Sequence, residues 1–316
     1  MPIGIDPKVD FAFKLVFGSP DHTNITTHFL NAVLQWRDPI TAVEILNPIQ
    51  GKDRSEEKLV VLDVLATDSQ GRQFNVEMQT TLPMDLTKRL TYYNCLNYIR
   101  QLGEGDGYQQ LRPAINICVL NRVLFRESAL YHLSFRLRCD QSDVVFCDDL
   151  EFHTLELPKF AVSGDRIDQS PPMEKWLYFL QHAEHLEPGE LASRLGDPAY
   201  LDAVGVLEMI SRSPEDRQFY DARQKFIHDE EGRLLAARQE GREEGLEEGL
   251  ERGLERGLEE GREEGRQEGS LIGKIQLLQQ ILSEPESPTD SLARRSLQEL
   301  ASLHDDLQRR LRERGI

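Results

Sequence analysis

Two acidic residues stand where a charge is unfavourable unless it has a partner. Asp63 interrupts an apolar run at residues 59–67, and Glu77 lies in the following segment, residues 73–80. An unpaired carboxylate buried in an apolar strand costs several kcal/mol, so such a group is paired or binds a cation. The pair therefore predicts a metal-binding site. The alternative is that Asp63 is a satisfied polar group of the core and Glu77 faces solvent.

The connection between these segments indicates how far apart the two carboxylates lie. The first segment is typical of a strand buried on both faces, and the second alternates apolar with polar residues. A three-residue loop at residues 69–71 is a common hairpin connection. It pairs Asp68 with Arg72, and the same register sets Asp63 opposite Glu77. Opposed residues share a face, about 5 Å apart at Cβ.

Two buried carboxylates at this distance repel, so one takes a proton or a cation lies between them. Oxygen-only ligands favour Mg²⁺, or Mn²⁺ in its place, over zinc. Mg²⁺ keeps several waters, and a metal-bound water can attack a phosphodiester. Gln79 follows Glu77 by two residues and shares its face, so we expect its amide to orient that water or to hold a phosphate oxygen.

The surrounding sequence predicts the elements that position this pair. Periodicity predicts helices at residues 8–16, 22–34 and 85–101, strands at 43–46, 59–67, 73–80 and 114–120, and two or three more strands between 131 and 157. This order is typical of an α/β fold with a mixed sheet flanked by helices. The remainder is predicted to be all-α, with helices at 173–185 and 199–211, one that starts near Pro214, and a last one at 290–314.

Nine glycines recur at every fourth residue from Gly241 to Gly273, among Glu, Arg and Leu. Each glycine costs an isolated helix about 1 kcal/mol relative to alanine. The segment is therefore either a solvated linker or a long helix that packs against something. Leucines directly after four of the glycines favour the helix. Because small residues let helix backbones approach closely, we expect these helices to pack between subunits and form a homo-oligomer.

The composition limits the kind of protein. A formal net charge of -18 argues against a basic surface over the whole chain, although a local basic groove is compatible with it. No run of 18 apolar residues is present, and the N-terminal residues lack the features of a signal peptide. The four cysteines are scattered and form no CxxC pair. We expect a cytoplasmic protein with free thiols and no membrane partner.

The acidic pair and its neighbours resemble a known group of nucleases. The string Asp63…Glu77-x-Gln79 is similar to the PD-(D/E)XK nuclease superfamily, in which the third position is usually Lys. More specifically, the chain resembles the recombination-promoting nuclease (Rpn) family of transposase-like proteins. The residues that carry this resemblance are Asp10-Phe11-Ala12-Phe13-Lys14, Phe17-Gly18, the Asp63 strand, Glu77-Met78-Gln79, Arg89, Tyr92, Tyr93 and the glycine repeat.

The resemblance covers most of the chain and implies a Mg²⁺-dependent DNA endonuclease that promotes recombination or acts with mobile elements. Asp63 and Glu77 would bind the metal ion. The backbone carbonyl of Met78 and the carboxylate of Glu44, near the first strand, are further expected ligands.

Basic and aromatic residues are assigned roles on the same basis. Asp10 and Lys14 are expected at the catalytic centre, or else form a surface ion pair one helical turn apart. Because Gln79 replaces the usual lysine, Lys88 and Arg89 are expected to supply positive charge and to contact DNA. Tyr92 is expected to stack on bases, while Tyr93 shares a face with apolar residues of the core.

These inferences divide the chain into four regions. They are a PD-(D/E)XK-like nuclease domain at 1–160, a helical linker region at 161–228, a Gly-x-x-x-Gly oligomerisation helix at 229–273 and C-terminal helices at 274–316. Two other functions stay open: a catalytically idle, oligomeric scaffold that binds DNA or protein, and a nuclease that acts on RNA.

Overall fold

The computed structural model describes residues 1–46, 49–50, 60–61, 63–162 and 164–314. The chain divides into two compact units, Met1–Glu231 and Gly232–Ile316. The strands are β1 (Val43–Leu46), β2 (Ile49–Gln50), β3 (Val60–Val61), β4 (Val64–Asp68), β5 (Gln73–Gln79), β6 (Ala114–Leu120), β7 (His132–Arg138) and β8 (Val145–Glu156). The helices are α1 (Asp10–Phe17), α2 (Thr23–Leu34), α3 (Leu86–Ile99), α4 (Pro172–His182), α5 (Pro188–Leu195), α6 (Pro198–Arg212), α7 (Pro214–Ile281), α8 (Thr289–Leu292) and α9 (Leu297–Glu313).

The first unit is built on a six-stranded mixed sheet with the order β1-β4-β5-β6-β8-β7. The neighbours β5, β6 and β8 run parallel, and the remaining pairs are antiparallel. Parallel neighbours need a crossover connection, and α3 provides it between β5 and β6. The short strands β2 and β3 form a separate two-stranded sheet. The predicted α/β class with a mixed sheet flanked by helices is confirmed.

Helices cover the sheet differently on its two faces. On one face the apolar side chains of β4, β5 and β6 join a large core with the N-terminal helices and α4 to α6, centred on the fully buried rings of Phe13, Phe17, Phe29 and Trp176. On the other face lies α3, whose Leu86 and Leu90 pack against β6.

The region 161–228 differs from the expected helical linker. Its helices α4 and α6 contact α2, α6 also contacts α1, and α5 packs on α6. Trp176 on α4 and Tyr200 on α6 are almost completely buried. Amphipathic helices with aromatic faces must bury those faces, and here they do so in the core of the first unit. That unit ends at Glu231 rather than at residue 160. The helix α5 has no counterpart among the predicted elements.

The predicted strand at 59–67 is wrong in one respect. Val60 and Val61 belong to β3, Asp63 lies in a bend, and β4 begins only at Val64. Residues 59 and 62 lie outside the described part of the chain. The Asp63 carboxylate accepts the Met78 N–H, which satisfies a backbone donor of β5 where the pairing with β4 ends.

The second unit contains the rest of α7 with α8 and α9. Its small core joins Ile275 of α7, and Leu282 directly after that helix, to Leu300 and Leu307 of α9. A capping box between Ser296 and Glu299 starts α9. The single predicted helix at 290–314 is therefore two helices. No helix in the described part of the chain is long and apolar enough to cross a membrane.

The glycine repeat lies within α7. A Cβ atom added to any of the nine repeat glycines would meet no atom within 4 Å, apart from the helix's own nearby backbone. The leucines Leu246, Leu250, Leu254 and Leu258 are exposed. No contact within the described chain therefore accounts for the small residues of this helix.

Candidate active site

The hairpin register that was predicted from the turn is confirmed. Val64 pairs with Val76, and the Asp68 N–H donates to the Arg72 carbonyl at 3.2 Å. Gly71 takes the left-handed conformation that such a loop needs, with φ of 78°. One more step in this register sets Asp63 opposite Glu77. The bend at Asp63 turns its carboxylate toward β5, where Oδ2 accepts the Met78 N–H at 3.0 Å.

Glu77 is buried beneath α3, with 3% of its surface exposed. Asn75 Nδ2 donates to Glu77 Oε1 at 2.6 Å, and Gln79 Nε2 donates to Glu77 Oε2 at 3.3 Å. Burial raises the pKa of Glu77 to about 7, and the nearby Asp63 charge adds to this, although the Asn75 and Gln79 hydrogen bonds oppose it. The alternative in which Glu77 faces solvent is wrong.

Burial also raises the pKa of Asp63. The Met78 N–H and Lys14 act against this shift, whereas the charge of Asp10 adds to it. Two neighbouring carboxylates thus both hold their protons more strongly than in water. The charges of Lys14 and Arg89 do not cancel this shift, and a bound cation would stabilise the ionised pair further.

Lys14 and Asp10 both lie at this centre, but with different partners. Lys14 Nζ is 3.6 Å from Asp63 Oδ1. Asp10 is held by Arg223 of α7, whose Nε donates to Oδ1 at 2.9 Å and whose second nitrogen donates to Oδ2. The alternative of an Asp10–Lys14 surface pair is wrong. The sequence analysis missed Arg223, because its only signal is a helical pattern more than 200 residues away.

Gln79 links the acidic pair to a positive charge. Its Nε2 donates to Glu77, and its Oε1 accepts from a guanidinium nitrogen of Arg89 at 2.9 Å. Arg89 Nε is buried and has no hydrogen-bond partner among the described residues. The guanidinium of Arg89 thus lies where this chain lacks the usual lysine.

Several of these residues line one cleft with a volume of about 360 Å³, whereas Glu77 and Lys14 are not among its lining residues. Its walls are formed by Lys8, Asp10, Asp63, Met78, Gln79, Thr80, Thr81, Arg89, Arg223, Phe226, Ile227 and Glu230. Five residues of the predicted site, Asp10, Asp63, Met78, Gln79 and Arg89, are among them. The cleft also includes α7 residues that sequence patterns did not indicate.

Three predicted site residues lie elsewhere. Lys88 and Tyr92 are exposed on α3 and do not line the cleft. Tyr92 is 48% exposed, whereas Tyr93 packs against Leu65. Glu44 is exposed on β1 opposite Thr67, about 13 Å along the strand from Asp63 at 3.3 Å per residue. At that distance Glu44 cannot bind the same metal ion as Asp63.

The donor chemistry fits a hard divalent cation. Within the described ranges no three His, Cys, Asp or Glu side chains converge as metal ligands, so a closed zinc site has no support. Asp63 and Glu77 offer carboxylate oxygens only. Mg²⁺ is commonly bound through one or two carboxylates and keeps several waters. The two-carboxylate set therefore suits Mg²⁺ or Mn²⁺.

The mixed sheet flanked by helices, with Asp63 directly before β4 and Glu77 on the neighbouring β5, is consistent with the PD-(D/E)XK fold. Residues 7–237 match the family described as PD-(D/E)XK nuclease family transposase, and the chain belongs to that family. The predicted resemblance is thereby confirmed. No curated protein and no solved structure matches the chain significantly.

Proposed function

We propose that this protein is a Mg²⁺-dependent DNA endonuclease that hydrolyses phosphodiester bonds during recombination or the movement of mobile elements. The observation that carries the proposal is the pair of Asp63, in the bend directly before β4, and the buried Glu77 on β5, which the hairpin register sets opposite each other. Lys14 and Arg89 offset part of the negative charge, yet burial still raises the pKa of both carboxyl groups. A bound cation would stabilise the ionised pair further.

The residues of the predicted centre have distinct roles in this proposal. Asp63 and Glu77 would hold the metal ion, with the Met78 carbonyl as a further ligand, and the ion would supply a nucleophilic water and charge stabilisation at phosphate. Lys14, 3.6 Å from Asp63, favours the ionised form of that carboxylate. Arg89, oriented by Gln79, stabilises negative charge that develops on the phosphate.

A catalytically idle scaffold is the second candidate, because Gln79 stands in place of the usual lysine. The test is conversion of supercoiled plasmid by the full chain. We expect nicking and linearisation with Mg²⁺ or Mn²⁺, and none with EDTA. Equal conversion with EDTA would refute metal dependence, and no conversion over a range of metals and salt would favour the scaffold. A parallel cleavage assay on RNA of the same sequence shows whether the enzyme cuts DNA, RNA or both.

We also propose that the working protein is a cytoplasmic homo-oligomer joined through the glycine repeat of α7. The support is that the repeat glycines and leucines have no partner within the described chain. A helix that carries about 1 kcal/mol of cost at each glycine gains stability when neighbouring backbones pack closely. The four free cysteines agree with a reducing compartment.

Alanine at Gly249, Gly253 and Gly257 tests this packing. Alanine favours a helix by about 1 kcal/mol at each position, but its methyl group keeps neighbouring backbones apart. We expect the triple variant to be as helical as the wild type by circular dichroism and to lose its oligomeric mass in chromatography with light scattering. Alanine at Glu251, Glu255 and Glu259 is the control on the same helix. A monomeric wild type, or an oligomeric glycine variant, would contradict the proposal.

A further inference from the structure

One wall of the cleft comes from the beginning of α7, which is part of the first unit. This stretch is firmly anchored to the N-terminal residues. Tyr220 is completely buried, and its hydroxyl accepts the Asp6 N–H at 2.8 Å. Arg217 donates to the Gly4 carbonyl at 3.1 Å. Side chains on this stretch that reach the cleft are therefore held in place before any substrate binds.

Phe226 is one of these side chains. It is 50% exposed and lines the same cleft as Asp63. The guanidinium of Arg223 lies over its ring, 5.0 Å from the centroid. An exposed phenylalanine is not unusual in itself. Here, however, the ring lies in a cleft whose other functional groups are charged, next to a cation that is itself fixed by Asp10.

Another phenylalanine on the same helix has a different environment. Phe219 is 55% exposed, and its ring contacts Phe11 at a centroid distance of 5.9 Å. It does not line the cleft. Phe219 therefore matches Phe226 in residue type, helix and exposure. The two differ in that only Phe226 lines the cleft.

We infer that Phe226 and Arg223 form a nucleobase subsite beside the acidic pair, and that the substrate is a DNA strand whose base next to the scissile phosphate is unstacked. This inference rests on the proposed nuclease function. Aromatic rings bind bases of any sequence by stacking, and an arginine adds a cation–π contribution. A base inside an intact duplex is already stacked on both faces. Single strands, flaps and mismatched ends are therefore the substrates that fit.

The charges of the cleft agree with this assignment. Arg89 also lines the cleft and can contact a phosphate beside the base, as arginine commonly does, while Arg223 stays paired with Asp10 and over the Phe226 ring. The volume of about 360 Å³ lies within the usual range of small-ligand pockets. A cleft of this volume can take one nucleotide.

The test measures binding by fluorescence anisotropy in the full chain carrying Asp63→Ala, which prevents cleavage during the measurement. The probes are labelled oligo(dT) and a strand of equal length that is abasic throughout. We expect Phe226→Ala to weaken oligo(dT) binding at least about fivefold, the lower end of a lost base–aromatic stack. Binding of the abasic strand should not change. Phe219→Ala should leave both affinities as they are.

Phe226→Trp gives an independent readout. The indole should retain oligo(dT) binding, and its fluorescence should be quenched by oligo(dT) but not by the abasic strand. Unchanged oligo(dT) binding in Phe226→Ala, or equal weakening for both strands, would overturn the inference. Absence of metal-dependent cleavage by the wild type would instead refute the proposed function, and these binding data would still decide whether the base subsite exists.

Discussion

Replacing Glu77 with glutamine is expected to stabilise the metal-free protein at pH 8 while abolishing its nuclease activity. The carboxylate is buried and, among the described residues, accepts hydrogen bonds from two neutral amides, while the charge of Arg89 opposes the rise of its pKa in part. Glutamine has the same shape and removes the charge. Asn75 Oδ1 has no hydrogen-bond partner among the described residues, so a rotation of the Asn75 amide can satisfy the new N–H group.

The sign of the pH dependence follows from the raised pKa. The carboxyl of Glu77 has a pKa of about 7 in the folded protein, against 4.5 as its ordinary value. Between these values the folded protein holds a proton that the unfolded chain has lost, so the free energy of unfolding falls as pH rises. This one group costs roughly 3 kcal/mol above pH 7 and nothing below pH 4.5.

Chemical denaturation in EDTA at pH 5 and pH 8 measures the effect. We expect Glu77→Gln to match the wild type at pH 5 and to exceed its stability at pH 8. Mg²⁺ should raise the stability of the wild type but not of the variant, because only the wild type binds the ion. Glu44→Gln is the control for an exposed glutamate. The same stability difference at both pH values would show that Glu77 is not strained by its charge.

The part of the site that sequence could predict is the part made by local geometry. A short loop with Gly71 determines the register of β4 and β5, and that register alone brings Asp63 opposite Glu77. Hairpin geometry left open whether Glu77 is buried or faces solvent. The covering helix α3 presents Asn94 and Asn97 toward the sheet, and both are buried. Because buried side chains of both α3 and β5 are polar here, neither segment shows the apolar pattern that normally indicates burial.

Contacts between residues far apart in the chain explain the other differences between the sequence predictions and the structure. Arg223 reaches Asp10 across 213 positions of the chain, and no local pattern indicates such a pair. Helices α4 and α6 were recognisable as helices in the sequence, whereas α5 was not predicted. Whether their apolar faces pack on the sheet domain or on each other depends on tertiary contacts, so the boundary at residue 160 was not determined by sequence patterns. Glu44 has the chemistry of a metal ligand but the wrong position along β1.

Asp63→Asn is the second change with a large expected effect. Asparagine preserves the shape of the side chain and can still accept the Met78 N–H, which is now bonded at 3.0 Å, so the bend before β4 should persist. The variant removes one of the two carboxylates that hold the metal ion. Loss of several kcal/mol of transition-state stabilisation corresponds to a decrease in rate of about a thousandfold or more.

The most direct test of the Asp63–Glu77 metal centre is therefore the single-turnover rate of DNA cleavage in Mg²⁺, measured for the wild type, Asp63→Asn and the control Glu44→Gln. We predict cleavage at equal rates by the wild type and Glu44→Gln, and a rate at least about a thousandfold lower for folded Asp63→Asn. Cleavage by Asp63→Asn at the rate of the wild type would contradict the assignment of this pair as the catalytic centre.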